Sequence, residues 1–81
     1  MVTTSYFEER ISPVGQNGKP DAYAPKSTLE IIVSSFSGES LIYLRLVDGR
    51  GAERAFALSR DQGIGLHDGL TRAAAFLRYI D

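Results

Sequence analysis

The 81-residue chain has one histidine, His67, and no cysteine. Hydrolytic catalysis needs a nucleophile, a base and a group that orients them. A single histidine set among glycines near a helix start supplies none of that and reads as a surface or interface residue. No group of His, Cys or Asp stands at ligand spacing, so neither a metal nor another cofactor is expected. Glu8 and Glu9 are adjacent and would point to opposite faces of a strand, a poor acid–base pair. The run Gly63-Ile64-Gly65-Leu66-His67-Asp68-Gly69 has the wrong spacing for a dinucleotide loop and no βαβ unit around it. It reads as a helix start eased by glycine, and the chain is expected not to be an enzyme.

Residue types suited to binding are better represented. Phe36, Tyr43, Arg45, Arg50 and Arg54 would fall on neighbouring strands or the turn between them. Aromatics on which bases stack, with arginines nearby, are how a sheet holds single-stranded nucleic acid. The basic residues are mostly arginine, seven against two lysines, and arginine forks and stacks better than lysine. The bland reading is that Phe36 and Tyr43 cover an edge of the core while the arginines are solvated. A formal charge of −1 lacks the positive excess of proteins that grip phosphate backbones, so a nucleic-acid site must rest on a local patch.

Several elements would position these residues. Residues 4–11 read as a short strand with Tyr6 and Phe7 as packing residues. Residues 12–26 hold all three prolines and the turn signal Gly15-Gln16-Asn17-Gly18, and read as an irregular connection. From Thr28, Leu29, Ile31 and Val33 alternate with Glu30, Ile32 and Ser34, the period of a strand with one buried face. After a turn at Ser37-Gly38-Glu39, Ile42, Leu44 and Leu46 share one face, with Leu41, Tyr43, Arg45 and Val47 on the other. Asp48-Gly49-Arg50-Gly51 is a hairpin signal. Residues 53–58 return as a strand with Arg54, Phe56 and Leu58 on one face and alanines on the other.

Ser59 and Gln62 fit a capping box. Beyond them Leu66, Leu70, Ala73, Leu77 and Ile80 recur at helical spacing. The glycines either bring the first turns close to a sheet or delay the helix proper to about Asp68. The expected fold is α+β: a small, curved antiparallel sheet of three to four strands in a meander, then one C-terminal amphipathic helix. One domain spans residues 1–81, divided into a strand and arm (1–27), the meander (28–58) and the helix (59–80).

The stretch Phe36-Ser37-Gly38-Glu39-Ser40-Leu41-Ile42-Tyr43-Leu44-Arg45 resembles the central motif of the positive-cofactor-four family of transcriptional coactivators. Leu58-Ser59-Arg60-Asp61-Gln62 resembles the short strand and helix start that follow it there, and Leu66 and Leu70 continue the apolar spacing. The resemblance covers about half the chain, residues 29–70. It implies a four-stranded curved sheet, a helix that pairs with its symmetry mate, and single-stranded DNA bound along the sheet. On that likeness Phe36 would stack on a base while Arg45 and Arg54 meet the backbone. Ser37 and Glu39 stand where the family usually has lysines, and Asp48 where it has tryptophan.

A chain this short, without disulfides, must pack very well or oligomerise. A homodimer is therefore expected, with Leu66, Leu70, Ala73, Leu77 and Ile80 at its interface. Apolar runs of a few residues are far short of a membrane span, and no basic start with an apolar stretch suggests a signal peptide. A cytoplasmic location without membrane contact is the expectation. Two functions follow: a dimeric module that binds single-stranded DNA or RNA, such as a transcription regulator, or a small protein–protein module or inhibitor. A phage or mobile-element regulator docking on a host protein exemplifies the second.

Overall fold

The computed structural model describes residues 3–35 and 38–80. Four strands, β1 (Thr3–Ile11), β2 (Ser27–Ser34), β3 (Leu41–Val47) and β4 (Glu53–Leu58), precede one helix, α1 (Arg60–Phe76). The strands form a single antiparallel sheet in the order β1-β2-β3-β4. This is the expected α+β meander with a C-terminal helix.

The register settles which side chains share a face, because residues directly opposite one another lie on the same side. Phe7, Ile31, Leu44 and Phe56 form one cross-strand row, and Leu29, Leu46 and Arg54 belong to the next. With Val33, Ile42 and Leu58 they make a largely apolar face, bordered by Arg54 on β4 and by Glu9, opposite Leu29, on β1. On the opposite face Glu8, Glu30, Arg45 and Ala55 stand in one row, and Ser5, Ile32, Tyr43 and Ala57 in the next. A register shift between Ser5 and Phe7 makes Tyr6 an extra residue in β1.

The β3–β4 turn is a three-residue loop. Gly51 N–H donates to Asp48 O at 3.0 Å and Asp48 N–H to Ala52 O at 2.9 Å. Such loops place a left-handed residue last, and Gly51 takes that position at φ 89°. Residues 12–26 are more regular than the sequence suggests, and the same bond pattern explains why. Gly18 N–H donates to Gly15 O at 3.0 Å and Gly15 N–H to Lys19 O at 2.8 Å, beside a Val14–Pro20 bridge. The miniature ladder runs one bond further, with Asp21 N–H donating to Pro13 O at 2.8 Å, and Pro13, which has no N–H, returns none.

The capping box closes as expected. Gln62 N–H donates to Ser59 Oγ at 3.1 Å, and Ser59 N–H to Gln62 Oε1 at 2.9 Å. The helix therefore starts at Arg60, not at Asp68, and Gly63 lets it do so: a Cβ there would sit 3.0 Å from Ile42 Cδ1. The helix ends at Phe76, four residues before the apolar stripe does. Arg78 turns left-handed at φ 62°, with Tyr79 N–H donating to Ala74 O at 2.8 Å and Arg78 N–H to Ala75 O at 3.0 Å. That is the Schellman stop, with an arginine where glycine is usual. Ile80 thus lies outside the helix.

Almost nothing is buried. Among the described residues only Tyr43 (6% exposed) and Ser34 (1%) are fully enclosed. Ser34 Oγ shares a 2.9 Å hydrogen bond with Thr3 Oγ1. No residue of α1 is buried, and the helix approaches β3 and β4 but neither β1 nor β2. The molecule is a slab of 43 × 36 × 16 Å.

Candidate interaction surfaces

The residues expected to bind do not gather on one surface. Arg45 lies opposite Ala55, whereas Arg54 lies opposite Leu46, so the two arginines project from opposite faces of the sheet. The three-residue hairpin loop sets this parity. Phe36 lies outside the described residues. Arg50 is exposed in the hairpin turn, where its N–H donates to Asp48 Oδ1 at 2.8 Å. Tyr43 does not offer an open ring for stacking. It is the most enclosed apolar side chain described, flanked on its face by Ile32 and Ala57.

Arg45 is already engaged. Its Nη1 donates to Glu30 Oε1 at 2.9 Å and its Nε to Glu53 Oε1. The two carboxylates hold the guanidinium more firmly protonated than usual, Glu53 contributing more than Glu30. In turn, the Arg45 hydrogen bond, with a smaller share from the Ser5 hydroxyl, holds the Glu30 carboxyl below its ordinary range. A phosphate approaching Arg45 would have to displace carboxylates. Neither acidic partner was singled out from the sequence, although Glu30 follows from the strand alternation once its pairing with β3 is known.

The sign of the Glu30 effect fixes a pH dependence. A carboxyl with a depressed folded pKa stabilises the fold above the ordinary carboxylate range and loses that contribution as pH falls through the depressed value. Arg45→Ala is therefore expected to return the Glu30 pKa upward, followed by carboxyl carbon NMR, and to flatten the acid limb of the melting curve. An unmoved Glu30 titration would show that the ion pair is not formed in solution.

The apolar face presents a different surface. Phe7 (42% exposed), Phe56 (47%) and Ile11 (38%) stand uncovered; the alternation in the sequence places them on strands but carries no sign that they share one face. Leu66, Leu70, Leu77 and Ile80 are all exposed, as is Ala73. A cleft of about 210 Å³ opens between Ile31, Ile42 and Leu58 of the sheet and Leu66, His67 and Leu70 of the helix. The Arg54 guanidinium rests 5.9 Å from the Phe56 ring centroid. Among the described residues no three His, Cys, Asp or Glu side chains converge on a metal-sized site, and no helix is long and apolar enough to cross a membrane. Comparison with protein-family models, curated proteins and solved structures found no match to the chain.

Proposed function

We propose that this chain is a non-enzymatic protein-interaction module that works as a homodimer, with α1 and the apolar sheet face forming the interface. One observation carries the reading: the chain alone hides too little surface. A folded monomer of this mass exposes about 4,800 Å², whereas this chain exposes 6714 Å². The surplus is about 1,900 Å² per chain, so about 3,800 Å² when both partners are counted, within the range an obligate dimer hides. The radius of gyration agrees, at 14.7 Å against about 12 Å for a compact chain of this length. A 17-residue helix with no buried side chain is marginal in water unless its apolar side packs on something.

The test is the double substitution Leu70→Glu with Leu77→Glu, followed by light scattering and far-UV circular dichroism. Both side chains are more than half exposed, so in a monomer the change would cost little. In the dimer it puts four carboxylates into an apolar seam. Loss of the helix-mediated pair and of much of the helical signal is expected; unchanged mass would remove the proposal.

A second reading, single-stranded nucleic acid held on the sheet, draws support from one agreement. The four-stranded meander followed by one helix is the architecture that the positive-cofactor-four resemblance implies. Labelled single-stranded DNA added to the same samples separates the two readings. Binding that weakens steeply with salt favours nucleic acid, and no binding at low salt leaves the protein module.

A further inference from the structure

The two edges of the sheet are built differently. The β1 edge carries the bulge at Tyr6 and the charged run Glu8-Glu9-Arg10, devices that discourage another strand from adding to a sheet. The β4 edge has neither bulge nor proline, and from Ala55 to Leu58 it carries no charge. From Glu53 to Ala57 its residues are exposed. We infer that β4 is a second self-association surface, pairing antiparallel with β4 of another copy across a two-fold axis at Ala55.

The hydrogen-bond parity makes the edge ready. Asp48 and Ala52 form a bonded pair at the turn, and bonded and non-bonded pairs alternate along an antiparallel ladder. Val47/Glu53, Arg45/Ala55 and Tyr43/Ala57 are therefore non-bonded. The N–H and C=O of Glu53, Ala55 and Ala57 point away from β3, out of the sheet. These are the groups a neighbouring strand would take up.

The side chains suit a second copy of the same strand. With Ala55 opposite the partner's Ala55, Arg54 stands beside the partner's Phe56 and Glu53 beside the partner's Ala57. No like charges face each other, which is the condition for cross-strand pairing. Arg54 already lies over the ring of its own Phe56, so the pairing sets two cationic and two aromatic side chains side by side on the apolar face. No carboxylate contacts Arg54 among the described residues.

This inference rests on the interaction-module reading but uses a different surface, so the two fail separately. Ala55→Pro removes only an outward N–H, an edge-strand placement in which a sheet tolerates proline. Ala55→Lys sets two ammonium groups directly opposite each other. The wild-type chain is expected at four chains or more by light scattering at low ionic strength. Each Ala55 variant is expected to fall to two chains, and to one when combined with Leu70→Glu and Leu77→Glu. Mixing Ala55→Lys with Ala55→Glu should restore the wild-type mass, a result that misfolding cannot produce. Unchanged mass in the Ala55 variants would overturn the edge pairing and leave the helix interface standing. A pair abolished by the Ala55 changes and indifferent to the helix changes would keep the edge and remove the helix interface.

Discussion

Tyr43→Ala is expected to destabilise the fold by about 3 kcal/mol, as large aromatic deletions from packed sites do. A small domain holds only about 5 kcal/mol or a little more in total, so the variant would keep only about 2 kcal/mol of that stability at room temperature. The size of the effect follows from scarcity: Tyr43 is the one apolar side chain described as fully enclosed. It sits mid-sheet, between Ile32 on β2 and Ala57 on β4. Urea denaturation followed by circular dichroism measures the loss. The result also bears on function. Were Tyr43 a stacking platform for bases, alanine would weaken binding and leave stability within about 0.5 kcal/mol, as surface substitutions do. A loss that small would mean the ring is free in solution and would revive the stacking role.

The faces of the sheet could be read from alternation alone, since Leu29, Ile31 and Val33 on β2 and Ile42, Leu44 and Leu46 on β3 repeat with the period of the pleat. Ser59 and Gln62 marked the helix start by local chemistry. What escaped the sequence was non-local. Arg45 and Arg54 looked like neighbours because they lie on adjacent strands, but whether they share a face depends on register, and a one-residue change in loop length reverses it. With a three-residue loop closed by Asp48 and Ala52, Arg45 meets Glu30 and Glu53, and Arg54 meets Phe56. The helix end was also hidden. The apolar spacing runs on to Ile80, and no glycine announces the left-handed residue at Arg78, a conformation costing a non-glycine residue about 1 kcal/mol.

Gly49→Ala is expected to cost about 2 kcal/mol, within the range for forcing atoms into an occupied site, and to release residues 12–26 from the sheet. Asp48-Gly49 reads in the sequence as a position needing a left-handed glycine, but that conformation belongs to Gly51. Gly49 is needed for space. A Cβ on it would sit 2.2 Å from Pro25 Cβ and 3.1 Å from the Pro25 carbonyl carbon and oxygen. Proline cannot swing aside, because its side chain is tied to its own backbone, so the hairpin tip and the arm must part. The arm's other side-chain bonds are internal to it: Lys26 Nζ donates to Ser12 Oγ at 3.1 Å, and Tyr23 and Ala24 N–H donate to Asp21 Oδ1. Amide exchange should therefore accelerate across residues 12–26 while β2 and β3 keep their protection. Gly51→Ala is the control. It strains the turn at φ 89° but meets nothing within 4 Å, so it should cost about 1 kcal/mol and leave the arm protected. Equal exchange in the two variants would mean that the Pro25–Gly49 contact does not hold the arm. Faster exchange in Gly49→Ala alone would make that contact the clasp between the arm and the β3–β4 hairpin.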